Sequence, residues 1–232
     1  MRKIFLLVLL VAGIYSAKAQ NSINQLDANG NRHGVWEKYY NNKRVRYIGT
    51  FEHGKEIGTF KYYSAKASDF PIIIKNYTGE NALTEISFFK ITGILESKGF
   101  MNEKSREGKW LFYHSDGKSV MSEENYKNNQ LNGVYKTYYL TGKPTEISTY
   151  KDGLQEGSYK KYSIKGFLYQ DFNYVKGKLN GVATYYSRKT GELKKEGLFK
   201  DDQPVGTWKY YSNGELIATD QPALKLKSNR DE

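Results

Sequence analysis

Glycines at positions 34, 58, 108, 133, 157, 181 and 206 each sit in a near-identical phrase: HGVWEKYY, IGTFKYY, EGKWLFY, NGVYKTYY, EGSYKKY, NGVATYY and VGTWKYY. The steps are 24 or 25 residues, except for one of 50 between Gly58 and Gly108. That gap is two periods long and predicts a degenerate unit inside it. Aligning Phe88 with the recurrent aromatic places Leu83 at the anchor, giving eight units anchored at 34, 58, 83, 108, 133, 157, 181 and 206. A fixed period of this length means stacked supersecondary units, each held by its neighbours.

Within a unit, position +5 from the anchor is aromatic throughout: Tyr39, Tyr63, Phe88, Tyr113, Tyr138, Tyr162, Tyr186 and Tyr211. Position +2 carries Trp36, Phe60, Trp110, Tyr135, Tyr159 and Trp208, with Glu85 and Ala183 as exceptions, and +1 is mostly small or β-branched. Aromatic and β-branched residues in a short run bounded by glycine read as a strand. Turn signals follow at +8 to +10, as in Asp116-Gly117 and Asn213-Gly214. A second aromatic falls seven before the next anchor, at Phe51, Tyr126, Tyr150, Tyr174 and Phe199, and a second turn residue four before it. Each unit is therefore strand, turn, strand, turn.

The expected fold is all-β: an elongated, twisted, single antiparallel meander sheet of about eight tandem β-hairpin repeats of 24–25 residues, with about sixteen strands. Open sheets rarely exceed about ten strands without curling, so a coiled ribbon is expected. Strict alternation would put +2 and +4 on one face and +1, +3 and +5 on the other, yet +3 is mostly lysine (Lys61, Lys136, Lys160, Lys209). Either a bulge turns the +5 ring inward, or both faces carry aromatics and the ribbon is one layer; the bulge is the preferred reading. Regularity breaks at 64–107, where the apolar run Phe70-Pro71-Ile72-Ile73-Ile74 is expected to belong to a longer hairpin folding back over the sheet, with a docking patch as the functional alternative.

The N-terminus has the layout of an export signal: Arg2 and Lys3, an apolar run from Ile4 to Tyr15, then Ala17-Lys18-Ala19. The run is shorter than the ~20 residues of a bilayer span. Residues 1–19 are thus read as a signal peptide, 20–217 as the array and 218–232 as a tail whose Pro222 and charged end favour disorder. The expected location is exported: periplasmic, outer-surface or secreted. The sequence contains no cysteine, which removes disulfide staples, thiolate chemistry and lipoprotein-type lipidation. Net charge is +11, falling to +8 without Arg2, Lys3 and Lys18. Such a balance favours anionic partners without singling one out.

The phrase G-x-W-x-x-Y-Y-x-x-x-G followed by Y-x-x-G-x-x-x-G, as seen from Gly181 through Tyr211, resembles the MORN repeat variant found in tandem in many bacterial proteins, including those labelled YwqK-like antitoxins. The resemblance spans roughly residues 24–217. It implies hairpin arrays serving as interaction scaffolds, some similar to modules proposed to contact lipids or protein partners. The antitoxin label would imply a cytoplasmic partner, which the export segment contradicts, so it is not carried over.

Catalysis is not expected. The three histidines, His33, His53 and His114, fall at −1, −5 and +6, where sibling units carry other polar residues, and no HExxH, GxSxG or phosphate-binding glycine loop occurs. No cofactor or metal is expected. The candidate binding residues are the +5 tyrosines, Tyr39, Tyr63, Tyr113, Tyr138, Tyr162, Tyr186 and Tyr211. The expected role is a protein-interaction or envelope scaffold with a protein partner. The alternatives are a glycan stacked on the tyrosine rows or an anionic lipid surface held by lysines, and nucleic acid is not expected.

Overall fold

A computed structural model describes residues 22–77 and 83–222. Residues 1–21, where an export signal is expected, and the tail beyond residue 222 lie outside the described residues. Successive hairpin strands pair antiparallel in chain order, from Gln25–Leu26 at one edge to Glu215–Asp220 at the other. The result is one open meander sheet without helices among the described residues. Its nineteen strands are sixteen hairpin strands, the short Gln25–Leu26, and the two-residue pieces Gln130–Leu131 and Lys178–Leu179 that precede Gly133–Tyr138 and Gly181–Tyr186. The last strand runs past Ile217, taking the first residues of the expected tail into the sheet.

The anchor glycine works through a bulge. Between strands Val45–Glu52 and Lys55–Tyr63, Thr50 pairs with Ile57 and Ile48 with Lys61, so the three residues Gly58, Thr59 and Phe60 face Gly49 alone. Gly58 takes φ +63° there, a conformation costing an L-residue with a Cβ about 1–2 kcal/mol. A shift of the same size, two extra residues on the glycine strand, recurs at Gly108, Gly133, Gly157, Gly181 and Gly206. The degenerate unit lacks it: Pro71–Tyr77 and Leu83–Phe89 stay in continuous register from Tyr77 opposite Thr84 to Ile73 opposite Phe88.

The degenerate unit is also displaced by one residue from its expected alignment. Trp36 pairs with Gly49, and its counterpart opposite Gly99 is Ile86. The hairpin bulge that falls at Tyr39 and Tyr63 falls at Phe89. The anchor is therefore Thr84, with Ile86 at the buried +2 site and Phe89, not Phe88, at +5. Without a bulge there is nothing for glycine to do, which is why the unit tolerates threonine. Ile72–Ile74 do not fold back over the sheet; they belong to the ordinary return strand Pro71–Tyr77. It is Phe70, at the longer tip, that packs onto Gly93 of the next tip.

Hydrogen bonds outside the ladder stitch both long edges. At the hairpin tips, the +6 side chain reaches the +5 carbonyl of the following unit: Tyr40 Oη donates to Tyr63 O (2.8 Å), Tyr139 Oη to Tyr162 O (3.0 Å), and His114 Nε2 to Tyr138 O (3.1 Å). At the other edge, backbone N–H groups of the turns donate back to the preceding unit: Gly54 to Arg32 O, Gly153 to Leu131 O and Gly177 to Gln155 O, each within 2.9 Å. The first strand of the array, Arg32–Tyr39, is capped by Asn24, whose Oδ1 accepts from Glu37 N (2.9 Å) while its N–H donates to Val35 O (2.8 Å).

Candidate interaction surfaces

The two faces carry different chemistry. One is a ring face built from +2, +4 and −7. Around Phe60, which is fully buried, lie Phe51 (5.1 Å), Tyr77 (5.7 Å), Tyr62 (6.1 Å) and Tyr47 (6.3 Å). Trp110 and Trp208 hold the same place further along, with Phe88, Phe112 and Tyr126 around the former and Tyr185 and Phe199 around the latter. Each such pair contributes about 0.5–1.5 kcal/mol beyond area burial. Cations cover parts of this face: Arg32 lies over Trp36 and Phe51, Arg106 over Trp110 and Tyr126, and Lys195 over Tyr185 and Trp208.

Room for the large +2 rings comes from a residue that the periodic reading overlooked. Gly49, Gly99 and Gly197 lie nine before anchors 58, 108 and 206, whose +2 residues are Phe60, Trp110 and Trp208. A Cβ on these glycines would stand 2.3, 2.4 and 2.2 Å from the ring above it. Where the +2 residue shrinks to Ala183, the −9 position grows to Phe172, and both are buried. The ring has changed strands, and each pair still supplies one large ring and one small residue. The signal in the sequence is the covariation of −9 with +2 within a unit, not the period.

The predicted tyrosines lie on the opposite face. A register shift does fall between +4 and +5, as at Lys38/Tyr39 and Tyr185/Tyr186, but none of the +5 tyrosines joins the ring-to-ring network, so the expectation that the bulge turns them inward is corrected. Alternation holds, and both faces of a single layer carry aromatics. Tyr39, 47% exposed, donates to Glu37, and Tyr211 donates to Glu196 (2.8 Å). Tyr63, Tyr113, Tyr162 and Tyr186 are half-buried. Burial, with the nearby Glu123 charge, pushes Tyr138 up to about 12, while the hydrogen bonds to Glu37 and Glu196 raise Tyr39 and Tyr211. Lysines on this face pair with the same acids or their neighbours: Lys109 with Glu123 (2.7 Å), Lys160 with Asp171 (2.6 Å) and Lys209 with Glu196 (3.5 Å). Between them, Val35, Val134 and Val182 are exposed at +1.

Two of the three histidines meet at the first turn, and His114 lies at a hairpin tip. His33 and His53 place their rings 5.2 Å apart, and His53 Nδ1 meets Asp27 Oδ2 at 2.8 Å. That contact, with backbone N–H donors, holds Asp27 down at about 2. Elsewhere the same turn is held by Glu107 and Glu156, which accept from Asn128 N and Lys176 N. Among the described residues no group of three or more His, Asp or Glu side chains is placed to hold a metal.

One hollow interrupts the ring face. Phe88, Ser97, Met101, Lys104, Arg106, Trp110, Phe112 and Asn129 line a half-open cleft of about 490 Å³. No curated protein matches the chain. Residues 32–53, 106–128 and 131–152 each match the family model described as the MORN repeat variant, and each spans part of a strand–turn–strand unit with the geometry given above. Three segments of the chain are thus similar to the MORN repeat variant, within a sheet of tandem β-hairpin repeats.

Proposed function

We propose that the protein is a non-catalytic, exported scaffold that binds a protein partner of the cell envelope along its tyrosine face. The observation that carries this reading is the pairing state of that face. Lys109, Lys160 and Lys209 are matched by Glu123, Asp171 and Glu196, and beside them the face presents phenol rings and the exposed Val35, Val134 and Val182 as contact features. Tyrosine is enriched at protein interfaces because it buries a large area at small entropic cost while keeping a polar tip. Lysines paired in this way contribute less to holding an anionic bilayer, since lipid attraction relies on unneutralised lysines. Export is drawn from the charged and apolar N-terminal segment ending at Ala19.

The test is capture of envelope proteins by the immobilised chain, compared with a triple variant Tyr162→Ala, Tyr186→Ala and Tyr211→Ala. A specific partner should be recovered and lost at least tenfold in the variant. Capture that is unchanged by the substitutions, or that vanishes with modest salt while vesicles of anionic lipid bind in its place, rejects the reading.

A further inference from the structure

The cleft over Trp110 exists because one unit departs from the repeat. At −7, where six other positions supply Phe51, Tyr77, Tyr126, Tyr150, Tyr174 and Phe199, the chain has Met101. The missing ring leaves a hollow between Phe88 and Phe112, with buried Trp110 and Ser97 at its floor. Its volume lies within the range of about 300–1,000 Å³ typical of small-ligand sites.

One end of this hollow is cationic and rigid. The Arg106 guanidinium lies 4.7 Å above the Tyr126 ring and 5.4 Å from that of Trp110, and its Nη1 donates to Tyr126 Oη (2.7 Å). Asn129 holds the turn beneath it: Oδ1 accepts from Arg106 N (2.8 Å), Asn129 N donates to Arg106 O (3.2 Å), and Nδ2 donates to Lys104 O (3.5 Å). Lys104 adds a second cation to the lining. The lining contains no carboxylate, and Glu124, on the strand of Tyr126, accepts from the Ser122 and Tyr126 hydroxyls. Arg32, at the equivalent position of the first unit, covers Trp36 and Phe51 as Arg106 covers Trp110 and Tyr126.

We infer that this cleft is a binding site for a carboxylate-bearing sugar, a uronic acid residue of an acidic saccharide. The apolar C–H face of a sugar ring fits between Phe88, Phe112 and Met101, and its carboxylate meets the fork of Arg106 with Lys104 beside it. The site lies on the face opposite the tyrosine rows and is independent of the partner proposed for them.

The experiment is calorimetric titration of the purified protein with a galacturonate oligomer, with the matched neutral galactose oligomer and inorganic phosphate as controls. Saturable binding of the acidic oligomer alone is expected. Arg106→Gln should weaken it at least tenfold, and Met101→Tyr should abolish it. Met101→Tyr restores the ring found at −7 elsewhere, so the fold should survive while the cleft is filled, and the outcome does not depend on a damaged protein. Absence of binding, equal binding of the neutral oligomer or of phosphate, or binding that persists in Met101→Tyr would overturn the assignment.

Discussion

Replacing Gly99 by alanine tests the fit of the ring face directly. Gly99 is in extended backbone that alanine adopts freely, so the effect is steric. The new methyl would lie 2.4 Å from Trp110 Cδ2 and 2.6 Å from Cγ and Cε2, and the indole has to move. It is hemmed by Phe88, Phe112 and Tyr126 and anchored by Nε1 donating to Phe100 O (3.0 Å). Overpacking of this kind costs about 1–3 kcal/mol, and losing the indole hydrogen bond about 0.5–1.5 more. A loss of about 2–4 kcal/mol is therefore expected, read by urea unfolding followed by circular dichroism. In a Trp110→Ala background the clash is gone, and Gly99→Ala should be neutral or stabilising by about 0.5–1 kcal/mol, since alanine orders a strand at less entropic cost than glycine. The double-mutant coupling is then about 2 kcal/mol or more. A cost below about 0.5 kcal/mol in the parent, or equal costs in both backgrounds, would refute the packing argument.

Other expectations follow from the same geometry. Gly108→Ala meets no neighbouring atom within 4 Å but must hold φ +63°, so a loss of about 1–2 kcal/mol in the unfolding midpoint is expected, with Gly108→Asn recovering part of it. Tyr139→Phe removes a tip stitch to Tyr162 O and should cost about 0.5–1.5 kcal/mol, with faster amide exchange confined to the neighbouring tips. At high pH, Tyr62, Tyr126 and Tyr138 have folded-state values of about 12 against an ordinary 10, chiefly through burial. Their contribution is complete below pH 10 and should be lost as pH rises towards 12, which absorbance titration of the phenols would show as late ionisation coincident with unfolding. Asp27, held at about 2, works in the opposite sense: its contact with His53 is present above pH 3.8 and should be lost as pH falls towards 2, and Asp27→Asn should remove that acid-side step from amide exchange of the first turn.

Much of this molecule was legible from spacing alone. The eight units, the two turns per unit and the meander all follow from recurring glycines and aromatics, because a hairpin's turn chemistry is local. The alignment of the degenerate unit was misplaced by one residue because Phe88 and Phe89 are both aromatic, and only the partner across the sheet tells them apart. Ile86, the actual core residue there, carries no ring and so gave no periodic signal. Gly49, Gly99 and Gly197 were equally hidden, since their role is defined by the ring on the adjacent strand.

Sequence by itself determined that this chain is a stack of hairpins, for the period is written in residues whose conformational preference acts within a few neighbours. Tertiary structure alone decided which face each tyrosine occupies, which ring fills which space, and where the stack leaves a hollow at Met101. Those outcomes depend on pairs some 10 to 25 residues apart meeting across a ladder, as Tyr211 meets Glu196 and Tyr40 meets Tyr63. One bulge residue more or fewer changes the register of every such pair.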